Sequence, residues 1–174
     1  MVLPRIPHDP DELVALVDEK GKVIGRATRR KAHLAKKLHM ITALLILNKG
    51  RLLLQTRTDN NLLDYSAGGH LKWNMTDEEG VVKEAFEELG IIVPASDIKR
   101  IGKWSAHSNS THLVSLFEVI GDWRKEDFNI DPNEVKSVRY YTVPELKHLL
   151  KCSSRKFTMG FRYSLKRYLR IKGL

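Results

Sequence analysis

Cysteine is almost missing from this 174-residue chain: Cys152 stands alone. No internal disulfide can form, and the composition suits a reducing, cytoplasmic setting. Long apolar runs are missing too. The longest, around Met40 to Leu47, falls well short of the roughly 20 residues a helix needs to cross a bilayer, so no membrane span is expected. The opening MVLPRIPHDP lacks the apolar segment of a signal peptide. No repeat or low-complexity linker divides the sequence, and 42% of its residues are hydrophobic, which predicts one domain over residues 1–174 with a sizeable core. Acids are the minority charge, 21 against 30 lysines and arginines, for a net +9. Where acids do gather, the clustering is informative.

They gather between positions 77 and 88, where Asp77, Glu78, Glu79, Glu84, Glu87 and Glu88 face Lys83 alone. A helix from about Thr76 to Leu89 would place Val82, Ala85, Phe86 and Leu89 on one stripe, the pattern a helix buries against a sheet. At roughly 100° per residue, Glu84, Glu87 and Glu88 then collect on the opposite face. Such a face is either solvated or offset by a cation, since unpaired acids three and four apart repel by about a few tenths of a kcal/mol per pair. Hard divalent ions such as Mg²⁺ take oxygen ligands of this kind and often share them with phosphates.

The rest of the chain alternates strand and helix signals. Residues 1–10, with three prolines, read as an irregular lead-in. Glu12 to Asp18 and Val23 to Thr28 read as strands joined by a turn at Glu19 to Lys22. A basic, helical segment with Arg26, Arg29, Arg30, Lys31, Lys36 and Lys37 follows, either a solvated surface or a phosphate contact. Asn48-Lys49-Gly50 marks a hairpin between Met40–Leu47 and Arg51–Arg57. Ile98 to Ser105, His112 to Ile120 and Glu134 to Thr142 read as further strands. Pro144 to Lys151 reads as a helix opened by proline, and a basic amphipathic helix lies within 155–174. Strands mixed with a few helices predict an α/β fold with a mixed β-sheet covered on both faces.

The register Gly69, five residues, Met75, seven residues, then Lys83-Glu84-Ala85-Phe86-Glu87-Glu88-Leu89-Gly90-Ile91 resembles the Nudix box. Met75 stands where the family has glutamate, and Lys83 where it has arginine. The resemblance implies an α/β/α sandwich and a metal-dependent hydrolase of diphosphate linkages, in a nucleoside diphosphate derivative or a related organic diphosphate. Carried over position by position, it makes Glu87 and Glu88 ligands of Mg²⁺ (or Mn²⁺), gives the Gly68 carbonyl a share, and makes Glu84 a base or further ligand. Glu134, with Glu118 second, is the candidate for the extra acid that the family often recruits from a late loop. Arg29, Arg57 and Gly69 are candidate substrate contacts. Met75 cannot supply an oxygen ligand; Asp77 could stand in for it. Lys83 keeps a charge but loses the fork of a guanidinium, so altered catalysis or an inactive binding module are the alternatives. Nudix domains often dimerise, and a homodimer is an accompanying expectation.

Beyond the box, GRATRRKAH, LLILNKGRLLLQTRT, DYSAGGH and KFTMGFRYSL are similar to the subgroup related to isopentenyl-diphosphate isomerase. That subgroup uses a cysteine where DYSAGGH has none, and His112 falls about where a glutamate would be sought. Cys152 reads as a packed residue in a later helix. Isomerisation is therefore disfavoured. His33, His39 and His70 still lie close to the positions of the isomerases' metal-binding histidines, which makes a second, softer metal site conceivable, although each taken singly is an ordinary packed imidazole. From Lys147 onward nine lysines and arginines appear with no acid, so RNA is a candidate partner, as a bound ligand or as an RNA-end substrate. Phe157, Phe161, Tyr168, Leu165 and Leu169 recur at helical spacing and favour packing on the sheet instead.

Overall fold

The computed structural model describes residues 9–107 and 110–174; most of the proline-rich lead-in lies outside them. The hairpin signal Asn48-Lys49-Gly50 reverses the chain between β3 (His39–Asn48) and β4 (Arg51–Arg57). Asn48 pairs with Arg51, and Lys49 and Gly50 both take positive φ, 49° and 74°. That is the backbone a two-residue hairpin loop needs to match strand twist.

β3 is apolar on both faces, with Ala43 and Leu45 on one side and Leu44 and Ile46 on the other, the signature of a strand in the middle of a sheet. One of its edges pairs in parallel with β8 (His112–Ile120), from His39↔His112 to Leu47↔Ile120. Its other edge is shared in turn by β1 (Leu13–Val17), β6 (Ala67–His70) and β4. β2 (Val23–Thr28) extends the sheet beyond β1, β5 (Leu63–Asp64) and β9 (Val135–Tyr141) flank β4, and β7 (Lys99–Ser105) flanks β8. One parallel pair among antiparallel ones makes the sheet mixed. Between β2 and β3 runs the short α1 (Arg29–Leu34).

Two helical layers complete an α/β/α sandwich. On one face α2 (Asp77–Leu89) packs Val81, Ala85 and Leu89 against Leu44, Ile46, Leu53 and Phe117. On the other, α3 (Val143–Cys152) and α4 (Met159–Ile171) pack Leu146, Phe161, Leu165, Tyr168 and Leu169 against Ala43, Leu45, Leu52 and Leu116. The aromatic side of α4 is thus its buried side, as its spacing implies. A third, smaller cluster joins Ala15, Val17, Met40, Leu71 and Leu113, with Met75 packed against it.

α2 departs from its predicted orientation. Thr76 caps it in a capping box with Glu79, and Gly90 ends it at φ 69°, close to the expected bounds. The buried stripe, however, is Val81, Glu84, Ala85, Glu88 and Leu89, while Phe86 is 58% exposed. The helix is turned so that two of its glutamates lie under it, against the sheet. Cys152, expected to pack, is exposed at the end of α3.

Candidate functional site

β6 explains how carboxylates come to sit under α2. A side chain on Gly68 would lie 2.8 Å from the Thr42 carbonyl oxygen of β3, and one on Gly69 would lie 2.7 Å from the Glu84 carboxylate. With neither present, backbone and carboxylates approach directly. The Gly68 N–H donates to Glu88 Oε2 at 2.9 Å, and Gln55 Nε2 of β4 donates to the same oxygen at 3.3 Å. Glu84 and Glu88 are 4% and 2% exposed, whereas Glu87 stands partly open at the rim.

Two acids buried together disfavour ionising both. Burial, then the neighbouring Glu84 charge, pushes Glu88 well above the usual carboxylate range, with further contributions from Glu134 and Asp64. Lys83 Nζ lies 3.1 Å from Glu84 Oε1 and also pairs with Glu87. Burial alone would lower the Lys83 pKa, but Glu84 and Glu87 raise it above its ordinary value. The Lys83 ammonium thus serves two carboxylates. Carboxylate oxygens packed against two glycines are of the kind that a hard divalent cation takes.

The surrounding charges frame this pocket. Arg29 opens α1 half-buried; burial lowers its pKa, and Glu12, Glu134 and Glu84 act against that. Arg57 forks onto Asp59 with two 3.0 Å contacts and reaches Asp64 at 3.5 Å, while Asp64 accepts from the Thr158 hydroxyl. The Arg57 charge also bears on Glu88. Gly68, Gly69, Glu84, Glu87 and Glu88 are therefore gathered, with Glu134, Arg29 and Arg57 around them.

Other expected residues lie elsewhere. Asp77 does not stand in for the missing box glutamate: it pairs with Lys103 at 2.7 Å and Arg100 at 3.0 Å and accepts from Ser115 Oγ at 2.8 Å. Although burial opposes it, hydrogen bonds from Lys103 and Ser115 hold the Asp77 pKa below its ordinary value. Glu118 is buried on the α4 side, accepting from Tyr168 at 3.0 Å and Lys172 at 2.7 Å. Gln55 was not anticipated. The signal for it was a single amide closing the apolar run Leu52-Leu53-Leu54.

A second constellation is built from histidines. His33 of α1, His39 of β3, His70 of β6 and His112 of β8 present ring nitrogens that all lie within 4.8 Å of one another. His33 Nε2 and His70 Nε2 are 3.1 Å apart. His39 Nδ1 lies 2.7 Å from the Lys37 carbonyl oxygen, a contact that places its proton on Nδ1 and leaves Nε2 as a lone pair. The structure thus joins the three histidines noted in the sequence and adds His112.

Comparison with known proteins supplies the family and agrees with the fold. The NUDIX domain pattern matches residues 37–161. An uncharacterised Nudix hydrolase of Listeria monocytogenes is 30% identical over 141 residues, covering 77% of this chain and 82% of its own. Isopentenyl-diphosphate delta-isomerase 2 of Homo sapiens is 28% identical over 188 residues, covering 91% and 83%. Among solved structures, a Deinococcus radiodurans protein has a TM-score of 0.69 at 23% identity, over 82% of this chain and 90% of that one. With its mixed sheet, its glycine-lined carboxylates under α2 and a match across most of its length, the chain belongs to the Nudix family.

Proposed function

We propose that this chain hydrolyses the diphosphate linkage of a nucleoside diphosphate derivative or related organic diphosphate, with Mg²⁺ or Mn²⁺. The observation that carries this reading is the burial of Glu84 and Glu88 side by side against Gly68 and Gly69, with Glu87 at the rim. Glu87, Glu88 and the Gly68 carbonyl would hold the ion, Glu84 would serve as base or further ligand, and Glu134 would be the additional acid. Arg29, Arg57 and the Gly69 backbone take phosphate oxygens. When bound, the ion neutralises phosphate charge and makes an attacking water more acidic.

Lys83 bridges Glu84 and Glu87 and so ties the buried carboxylate to the one at the rim. Met75 packs with the cluster of Met40, Leu71 and Leu113 and contributes no carboxylate, so orientation of the water falls to Glu84. Turnover slower than that of a complete box is the consequence. Isomerisation stays disfavoured although isomerases are among the relatives: the segment that carries Gly68 and Gly69 holds no cysteine, and Cys152 is exposed on α3. The basic face of α4 lies across the sheet from Glu84 and Glu88, so RNA bound along α4 would not touch these carboxylates.

The test is a screen of diphosphate compounds with Mg²⁺ and Mn²⁺, scoring release of phosphate or monophosphate. Glu84→Gln should lower turnover about 10²–10⁴-fold, the range for loss of a positioned base, and Glu87→Gln or Glu88→Gln should weaken divalent binding. Absence of turnover on every compound, or unchanged metal affinity in both ligand variants, overturns the reading.

A further inference from the structure

We infer that Gln55 is a positioning residue of the carboxylate site: its amide nitrogen fixes Glu88, and its amide oxygen is the acceptor for a water that the divalent ion brings in. The inference rests on the hydrolase reading, which puts that ion at Glu87 and Glu88. Gln55 closes the apolar run Leu52-Leu53-Leu54. Strand alternation sends Leu52 and Leu54 to the α3 and α4 side of the sheet and Leu53 to the α2 side, and Gln55 follows Leu53. β4 is paired on both edges at this point, Gln55 with Asp64 of β5 and with Val138 of β9, so the backbone beneath the amide is fixed. The residue is 2% exposed.

The contacts of Glu88 decide which way the amide faces. Glu88 Oε2 already accepts from the Gly68 N–H at 2.9 Å, which makes it an acceptor for its other neighbour too. The Gln55 atom 3.3 Å away is therefore the nitrogen, donating. With two donors on Oε2, Oε1 is the oxygen of Glu88 with capacity for a cation. Hydrogen bonds of this outer kind orient a metal ligand and set its basicity.

The other half of the amide is what a packing role leaves unexplained. Gln55 Oε1 is buried with no hydrogen-bond partner among the described residues, whereas buried polar groups ordinarily have one. A leucine or methionine would continue the run of β4 and carry no such deficit. Mg²⁺ sheds its waters reluctantly and keeps several in a protein site, so an ion at Glu88 would bring O–H donors toward the side chain that shares its ligand. Met75, packed in a core cluster, supplies no acceptor for such a water; Gln55 adds one to Glu84.

The experiment titrates the full chain with Mn²⁺, following the paramagnetic resonance signal of the free ion, and records the thermal midpoint in chelator. It compares the parent with Gln55→Met, Gln55→Asn, Glu87→Gln, Glu88→Gln and the Gln55→Met, Glu88→Gln double variant. Gln55→Met keeps the length of the side chain and removes both polar atoms. Mn²⁺ affinity should fall about 10–100-fold, the range for loss of an outer partner of a metal ligand, while the midpoint in chelator holds or rises because a buried unpaired oxygen has gone. Gln55→Asn keeps the amide but withdraws it from a contact already at 3.3 Å, and should weaken Mn²⁺ in the same direction. Since Gln55 acts through Glu88, the two single losses should fall short of multiplying in the double variant by about fivefold or more. A merely structural amide gives the opposite set, a lowered midpoint in chelator and losses that multiply, and that result overturns the inference. So does Mn²⁺ binding as tight as the parent's in Gln55→Met and Gln55→Asn while Glu88→Gln binds weakly, an outcome that leaves the hydrolase reading standing. If Glu87→Gln and Glu88→Gln bind unchanged as well, both fall together.

Discussion

Glu88 holds a conflict that the bound ion is expected to resolve. Its raised pKa means that the folded state resists ionising it, so the sign of its pH effect is fixed. Below the unfolded value of 4.5 it is protonated in both states and contributes no difference; as pH rises from there toward its folded pKa, stability is progressively lost. Glu88→Gln removes the ionisation and keeps an oxygen to accept from the Gly68 N–H. In the presence of chelator the variant should be more stable than the parent at pH 7, and the gap should close toward pH 4. Urea denaturation across pH measures it. His70 and His112, whose pKa burial lowers, titrate in the opposite sense, losing stability as pH falls below 6.5, but equally in both proteins. Added Mg²⁺ should stabilise the parent and not the variant. The box glutamates were legible because acids crowd one short stretch of a basic chain. Met75 read as a missing ligand, and only the packing of its thioether against Met40, Leu71 and Leu113 shows that the position belongs to a core. The partners of Asp77 were hidden for another reason: β7 supplies them from far along the chain.

Among the elements, α2 and β6 form one unit. The apolar pattern of α2 admits two rotations, because Val81 and Val82 are both apolar and Phe86 competes for the buried side. What decides is β6, whose missing side chain at Gly69 leaves room for Glu84. Periodicity within the helix alone does not contain that information. Two substitutions should separate the roles of the neighbouring glycines. Gly69→Ala pushes against the Glu84 carboxylate, so divalent affinity should fall about tenfold or more while stability drops modestly. Gly68→Ala meets the backbone oxygen of Thr42, which cannot move aside as a side chain can, and should cost about 1–3 kcal/mol. Calorimetry with Mg²⁺ and chemical denaturation would record the two effects. The hairpin at Asn48-Lys49-Gly50 and the start of α2 near Thr76, by contrast, were plain in the sequence, since both act through local geometry.

At the scale of the whole molecule, charge is divided between the two faces of the sheet: carboxylates under α2, lysines and arginines along α4. Lys166 and Arg170 are exposed, whereas Arg167 stacks between Trp104 and Tyr163, its guanidinium carbon 5.1 and 5.8 Å from the ring centres. Lys166→Gln with Arg170→Gln therefore neutralises the surface without disturbing that stack. Turnover of a small diphosphate should stay within about twofold of the parent, and any affinity for RNA should fall with a flatter salt dependence; paired kinetic and binding assays at several salt concentrations check both. The longer strands followed from apolar alternation or runs, but the short β5 and β6 did not, and neither did sheet order, because nothing local to β3 or β8 announces that they will lie side by side. That parallel pairing also sets a schedule for the growing polypeptide. β3 emerges early and finds β4 and β6 soon after, yet its opposite edge waits until His112 to Ile120 has been synthesised. Until then an apolar strand carries an open row of backbone donors and acceptors, the state in which chains pair with one another instead of with themselves. A ribosome that stalls between β7 and β8 would release an aggregation-prone fragment, and the interval in which β8 is made is when this chain most needs a chaperone.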